Sequence, residues 1–441
     1  MANALACLAV VLIAGLAAHA APDDREILAG ADARIEKLRK ADAVLRVTDG
    51  RGRPIAGAAV EIEQTRHAFL FGSNFYAFGR LGTPELEEAY RSRFAELLNY
   101  ATTGFYWGSY EPAPGQPQYA NTDRVAQWCA EHGITVKGHP LVWNTVPPRW
   151  LPEDLDEIHR LAIQRVADCI SRFRGRIDIW DVVNEPTHVD RPSPQFRNRV
   201  TDMWLKVGVV DLVREALTTA RKANPKATLL VNDYLLLPRD GRSFDEVLEQ
   251  LNDERGRPLY DAIGLQSHMH GGYWGAARSW EVCERYARFG VPLHFTETTI
   301  LSGPSRKAEQ GWPSTPEGEE RQAQQVAELY TALFSHPAVQ AITWWDFSDN
   351  MAWQGAPAGL LRKDMSPKPA YLRLKELIKN AWWTRTSAKT DARGTARFRG
   401  FLGAYSVRAK DAKGREGTVE VTLSKTGRNE FRVTLKPAPK G

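Results

Sequence analysis

Short apolar runs alternate with helical patterns eight times between about residue 66 and residue 380. The runs are rich in β-branched or aromatic side chains, and the segments between them repeat apolar positions at the period of an α-helix. Alternating strands and helices favour a parallel barrel or a doubly wound sheet. Eight such units favour a (β/α)8 TIM barrel of class α/β, whose active site lies at the carboxyl ends of the strands. The eight runs are 69–72, 100–102, 135–138, 177–180, 229–232, 262–265, 293–296 and 341–345.

On both sides of this region the pattern changes to a period of two. A charged helix is expected over 26–40, and alternation in 43–48 and 58–62 around an Asp49-Gly50 turn predicts a β-hairpin. The alternation returns after about residue 385, so we predict a small flanking β-module from the N- and C-terminal segments. The C-terminal runs are 395–401, 404–410, 418–423 and 429–435. The expected domains are 21–65 for the N-terminal helix and hairpin, 66–382 for the barrel and 383–441 for the C-terminal β-module.

Residues 1–20 form an apolar run that ends in Ala18-His19-Ala20, as at the cleavage site of a signal peptide. The run is short and lacks basic flanks, so it is a poor membrane anchor, and we expect a secreted or periplasmic protein. A net charge of +5 without a basic run gives no sign of nucleic-acid binding. The remaining cysteines, Cys129, Cys169 and Cys283, fit buried apolar side chains better than a disulfide scaffold.

Two of the apolar runs lead into a glutamate. Proline stops the fourth strand just after Asn184-Glu185, and a seventh, shorter run leads to Glu297. A lone glutamate at the end of a strand is more often a surface or ion-paired residue. On one parallel sheet, however, the two carboxylates face each other across the same edge, which is the arrangement that glycoside hydrolysis needs.

Other strand ends bring amide, imidazole and indole groups to the same edge. Amides and imidazoles can hydrogen-bond hydroxyl groups, and the flat faces of tryptophan suit sugar rings. The chain shows no His-Glu-x-x-His, G-x-S-x-G or G-x-G-x-x-G pattern, which disfavours a catalytic metal, a serine nucleophile and a nucleotide. We therefore expect a carbohydrate site without metal or cofactor. The candidates are His139, Trp143 and Asn144 after the third strand, Gln266 and His268 after the sixth, and Trp344 and Trp353 at the eighth.

Taken together, these motifs resemble glycoside hydrolase family 10, the endo-β-1,4-xylanase family, over roughly residues 66–380. The resemblance implies a retaining mechanism with Glu185 as acid/base and Glu297 as nucleophile. It places Asn184 on the 2-hydroxyl of the cleaved sugar and His268 beside the nucleophile. The matching motifs are Gly138-His139, Leu141-Val142-Trp143, 181–186, Asn232-Asp233-Tyr234, Gln266-Ser267-His268, Thr296-Glu297, Trp344…Trp353 and 367–371. Around the same sugar the resemblance places His139, Trp143, Gln266, Trp344 and Trp353.

Three positions depart from the family pattern. The usual asparagine and lysine of the second strand, which hold sugar on the non-reducing side, are Thr103 and Tyr106. The usual histidine after Leu-Val-Trp is Asn144. Hydrogen-bond donors and a charge are thus missing from the glycone side, which leaves the identity of the sugar open.

The chemistry makes opposite demands on the two glutamates. An acid must be protonated near neutral pH, so the pKa of Glu185 should be raised by apolar neighbours and by the charge of Glu297. Glu297 should stay ionised through hydrogen bonds from His268 and nearby donors. We expect a monomeric retaining endo-xylanase that acts on xylan or a related β-glycan. The alternatives are a retaining glycosidase for another β-linked glycan or small glycoside, and a catalytically weak polysaccharide-binding protein.

Overall fold

The computed structural model describes residues 22–234, 236, 243–307, 309 and 311–437. The expected signal peptide, residues 1–20, lies outside these residues. In the part of the chain that is described, no helix is both long and apolar enough to cross a bilayer. The strands are β1 (Lys40–Asp49), β2 (Ala59–His67), β3 (Leu70–Asn74), β4 (Tyr100–Gly104), β5 (Thr135–His139), β6 (Ile179–Asn184), β7 (Thr228–Asp233), β8 (Ala262–His268), β9 (Leu293–Thr299), β10 (Val339–Trp344), β11 (Arg385–Lys389), β12 (Thr395–Phe401), β13 (Gly403–Lys410), β14 (Glu416–Leu423) and β15 (Glu430–Leu435). The α-helices are α1 (Asp24–Ala29), α2 (Ala31–Arg39), α3 (Pro84–Leu97), α4 (Trp107–Tyr110), α5 (Tyr119–Glu131), α6 (Leu155–Phe173), α7 (Arg199–Val207), α8 (Val209–Ala223), α9 (Phe244–Glu249), α10 (Gly275–Ala287), α11 (Pro316–Ser335) and α12 (Pro369–Glu376).

Strands β3 to β10 form a closed parallel barrel, which confirms the predicted fold class. Each of the eight apolar runs contributes one strand, and β10 pairs with β3 to close the ring. The helices between the strands pack their apolar faces on the outside of the barrel. All carboxyl ends of the strands therefore open on one face, and the candidate residues come together there.

Helix boundaries on the barrel follow local sequence signals. Thr83 caps α3 and Thr315 caps α11 by accepting a backbone N–H of the first turn, and proline follows each cap at the first helical position. The three cysteines of the described chain lie buried in α5, α6 and α10 with free thiols. They pack as small apolar side chains against the barrel.

The flanking β-module is a sandwich of a mixed sheet of order β12-β1-β15 and an antiparallel sheet of order β11-β2-β13-β14. The predicted hairpin between β1 and β2 is wrong, because these two strands belong to different sheets. Asp49 closes a turn by accepting the backbone N–H groups of Arg51 and Arg53, and the chain then crosses to the other sheet. The apolar faces of both strands are buried between the sheets, as at Leu45 and Val60. A sandwich and a hairpin have the same alternation, so the pattern could not separate them.

Candidate active site at the carboxyl end of the barrel

Glu185 occupies a sharp turn at the end of β6. Its backbone is left-handed, with φ 56° and ψ 47°, and a short 3-10 turn starts at Pro186. The backbone N–H of Glu185 donates to the carbonyl of Asn232 at 2.7 Å. A non-glycine residue in this conformation is strained, and such strain clusters at functional sites. The turn keeps the Glu185 carboxyl buried at the mouth of the barrel.

Glu297 lies within β9 rather than at its end, because the strand continues to Thr299. It pairs in register with Gln266 of β8, directly after a register shift that begins at Leu265. Such irregularities re-aim side chains and are frequent next to active sites. The carboxyl of Glu297 is buried and reaches the same space as that of Glu185.

Three amide side chains connect the two carboxyl groups. Asn232 Nδ2 donates to Glu297 Oε1 at 3.0 Å and to Asn184 Oδ1 at 2.7 Å. Asn184 Nδ2 donates to Glu185 Oε1 at 3.2 Å, and Gln266 Nε2 donates to the same oxygen at 3.1 Å. Both donors reach Oε1 of Glu185, which leaves Oε2 to carry a proton.

Glu297 is held by histidines on its other side. His268 Nε2 lies 3.1 Å from Glu297 Oε2, and His268 Nδ1 lies 2.9 Å from the hydroxyl of Thr299. That hydroxyl donates its single proton to the carbonyl of Trp345, so it accepts from His268. Both ring nitrogens of His268 therefore have a partner, and these two contacts fix the orientation of the ring beside Glu297.

His139 belongs to a buried cluster below the carboxylates. Its Nε2 lies 3.8 Å from Glu297 Oε1, and its Nδ1 lies 2.7 Å from Asp181 Oδ2. Lys137 Nζ donates to the same oxygen of Asp181 at 2.6 Å, and Lys137 and Asp181 are both fully buried. The cluster fixes the orientation of His139 and places positive charge under Glu297.

The surroundings of Glu185 and Glu297 shift the pKa values of the two carboxyl groups in opposite directions, as predicted. Burial raises the pKa of Glu185 to about 8, with smaller contributions from the charges of Glu297 and Asp233. Burial acts in the same direction on Glu297. There, however, the hydrogen bond from His268 and the charges of His139 and Lys137 outweigh it, and the pKa falls below its ordinary value. At neutral pH the site therefore holds one protonated and one ionised carboxyl group, so one can give a proton while the other carries a negative charge.

Aromatic rings wall the site around His139. Tyr106 and Trp345 lie edge-on to the His139 ring, with centroids 5.7 Å and 5.6 Å away. Trp143 lies 5.7 Å from Tyr106, and the hydroxyl of Tyr76 lies 3.4 Å from that of Tyr106. The wall offers apolar faces and two phenol groups to a sugar.

Trp353 forms the opposite wall. It is 45% exposed, and its ring lies 4.7 Å from that of His268. Its backbone N–H donates to Asp346, which also accepts from Asn74. Burial raises the pKa of Asp346 to about 6. This carboxyl group therefore ties the loop that carries Trp353 to the first strand of the barrel.

Two sequence predictions need correction. Trp344 is fully buried and donates its indole N–H to the carbonyl of Ala358, so it cannot contact a sugar. Trp345, the next residue, faces His139 and His268 in its place. Asn144 is also buried, and its amide donates to the carbonyl of Val189 and the hydroxyl of Thr201, so it braces a loop.

Thr103 is the other position of the second strand that departs from the family pattern, and in the described part of the chain its side chain forms no hydrogen bond with either glutamate. Thr103 is buried within β4 and pairs in register with Gly138 of β5. The site also contains residues that were not predicted as site residues, among them Tyr76, Lys137, Asp181, Asn232, Trp345 and Asp346. Asn232 had a signal, since it is a polar residue next to the end of a barrel strand, whereas Tyr76 follows β3 without any polar pattern.

Comparison with known proteins agrees with this geometry. A model of Glycosyl hydrolase family 10 matches residues 71–377, which is more than half of the chain. The chain belongs to glycosyl hydrolase family 10. The match spans every barrel strand of the family 10 domain except the first residue of β3.

Individual family 10 relatives share about a quarter of the sequence. Endo-1,4-beta-xylanase B of Thermotoga neapolitana is 26% identical over 326 residues, which cover 70% of this chain and 87% of that protein. The crystal structure of xylanase 10B from Thermotoga petrophila RKU-1 in complex with xylobiose superposes with a TM-score of 0.59 and 25% identity, covering 71% of this chain and 95% of that chain.

One relative extends over the flanking module as well as the barrel. Anti-sigma-I factor RsgI6 of Acetivibrio thermocellus is 27% identical over 412 residues, which cover 92% of this chain. The chain spans about half of that protein's length, 48%, and 51% of Endo-1,4-beta-xylanase 5 of Arabidopsis thaliana.

Proposed function

We propose that the protein is a retaining endo-1,4-β-xylanase that cleaves internal bonds of xylan by double displacement. The observation that carries the proposal is the pair of buried carboxyl groups, Glu185 and Glu297, whose pKa values are displaced in opposite directions within one amide network. Xylanase relatives along the whole barrel support the same substrate class.

The roles follow from the protonation states. Glu185, protonated on the oxygen that faces away from Asn184 and Gln266, gives its proton to the glycosidic oxygen. Glu297, ionised beside His268, attacks the anomeric carbon and forms a glycosyl ester. The departure of the aglycone leaves Glu185 as a carboxylate, which then takes a proton from water as that water cleaves the ester. Asn184 and Asn232 orient both carboxyl groups through the cycle.

The test is the release of reducing ends from a panel of xylans, glucans and mannans, with the configuration of the first product followed by NMR. We expect turnover on xylan, a β-configured initial product, and loss of turnover in the Glu185→Gln and Glu297→Gln variants. An α-configured initial product would refute the retaining mechanism. Wild-type turnover in both variants would refute the assignment of these residues.

A second candidate is a retaining glycosidase for another β-linked glycan or a small glycoside. It is favoured by Thr103 and Tyr106, which stand where the family resemblance leads us to expect an amide and an ammonium group, and by Tyr76, which adds a second phenol beside Tyr106. Neutral phenols bind a sugar less strongly than charge-assisted donors. The same panel decides between the two candidates. If xylan is ignored and an aryl glycoside or another β-glycan is cleaved, the second candidate holds.

A further inference from the structure

A groove of about 990 Å³ lies beside the catalytic mouth, between the loop after β5 and the segment after β6. Three prolines, Pro147, Pro148 and Pro192, line it and stiffen its rim. Four arginines also line it, and we call it the arginine groove. They are Arg149, Arg191, Arg197 and Arg199.

The arginine groove carries a surplus of positive charge. Its lining holds four guanidinium groups and the two carboxylates of Asp190 and Asp202, which leaves a formal charge of 4 − 2 = +2. Within the described ranges, none of the four arginines forms an ion pair with a carboxylate. Elsewhere on the barrel arginines are paired, as with Arg285 and Arg288, which both bind Asp245. The groove thus offers donors that no described acidic side chain occupies.

Aromatic contacts connect the arginine groove to the catalytic centre. The guanidinium of Arg191 lies 4.4 Å from the centroid of the Tyr234 ring. Tyr234 stacks on His188, with centroids 3.8 Å apart, and His188 lies in the turn that starts at Glu185. Tyr234 also lines a second cavity together with Gln266 and His268. A ligand in the active site therefore meets the groove on the Glu185 side.

The direction of a bound glycan follows from the role of the acid. The general acid stands beside the leaving oxygen, so the sugars of the leaving group lie on the Glu185 side. A chain that continues in this direction passes Tyr234 and Arg191. Any acidic side group on those sugars would enter the arginine groove.

We propose that the arginine groove binds the carboxylates of uronic-acid side groups on the leaving-group part of the glycan, which makes an acidic, uronate-bearing β-glycan the preferred substrate. The proposal rests on the proposed glycosidase function. Guanidinium groups match carboxylates in a planar, two-pronged geometry. A surplus of only +2, shared with two carboxylates, suits isolated carboxyl groups better than the continuous phosphate array of a nucleic acid.

The test compares two substrates that differ only in charge: glucuronoxylan oligosaccharides and the same material after chemical reduction of the carboxyl groups to alcohols. We expect kcat/KM to be about fivefold higher on the acidic form, the factor expected for two partly exposed arginine–carboxylate contacts. In the Arg197→Gln/Arg199→Gln variant this preference should fall to within about twofold of unity. The matched control is Arg428→Gln, an exposed arginine of the flanking module, which should keep the wild-type preference.

Added NaCl gives a second measurement that needs no variant. Salt screens exposed charges, so the preference of the wild-type protein for the acidic form should fall as salt rises. An acidic preference that is absent, or that survives both salt and the double substitution, overturns the proposal. So does arginine-dependent binding of DNA or of anionic vesicles without any discrimination between the two oligosaccharides.

Failure of the proposed function gives a different result. If neither oligosaccharide is cleaved, the xylanase assignment fails, and calorimetric titration of the uncleaved acidic and reduced forms then decides the groove by itself. Arginine-dependent binding of the acidic form supports the groove, and equal or absent binding overturns it. If the reduced oligosaccharide is cleaved as fast as the acidic one, the groove proposal fails while the glycosidase assignment stands.

Discussion

The raised pKa of Glu185 makes the stability of the protein depend on pH, and the Glu185→Gln variant should remove this dependence. The unfolded chain loses the Glu185 proton near the ordinary pKa of about 4.5, whereas the folded protein keeps it up to about 8. A folded pKa above the unfolded one contributes stability that is fully present below pH 4.5 and is lost as pH rises to 8. Glutamine is neutral at every pH and loses nothing over this range.

The structure sets the size of the effect. The Glu185 carboxyl is buried, so solvent does not screen the shift. A difference of about 3.5 pKa units corresponds to roughly 5 kcal/mol, at 1.36 kcal/mol for each unit. We expect the variant to gain about 3–6 kcal/mol relative to wild type between pH 4 and pH 9. For a barrel of about 300 residues this is a shift in Tm on the order of 5–10 °C.

The assay is the Tm of wild type and variant across this pH range. The difference between them should rise through the neutral region and level off above about pH 8. Glu297→Gln is the matched comparison with the opposite sign. Because the folded pKa of Glu297 is lowered, its stabilisation is present above its unfolded pKa and is lost as pH falls through the folded one. A Tm difference for Glu185→Gln that does not change with pH would refute the assigned protonation state.

Three further predictions follow from the site and the fold. Glu297→Ala should lose turnover. Azide should restore part of it with a product of inverted configuration, since a small anion can replace the missing carboxylate. Failure of any anion to rescue turnover while substrate still binds would contradict the nucleophile assignment. Lys137→Met should lower the free energy of unfolding, measured by denaturant titration, by about 3–5 kcal/mol, because Asp181 then stays buried with His139 as its single partner. Adding Asp181→Asn should recover much of the loss. Truncation after residue 382 should lower Tm and solubility, because it removes β11 to β15 and uncovers the apolar faces of β1 and β2; a truncated chain as stable as the full one would contradict this.

The sequence by itself determined the barrel and the two carboxyl groups. Buried parallel strands must be short continuous apolar runs, so all eight could be counted along the chain, and the closed sheet followed from their number. Asn184, Glu185 and Glu297 were predictable for the same reason, because polar groups in or after a buried strand emerge at one edge of the sheet. The directions of the two pKa shifts also followed from the neighbours of each glutamate.

Only the tertiary structure decided which face each residue presents and which strands pair. Successive residues of a strand point to opposite sides, and the structure shows that Trp344 points away from the site to bond Ala358 while Trp345 faces the site. The same limit applies to β1 and β2, whose alternation shows an apolar face but not the sheet that covers it. Asn144 bonds to a loop from another part of the chain. Such contacts depend on the closed barrel, which brings distant segments together, and no local pattern encodes them.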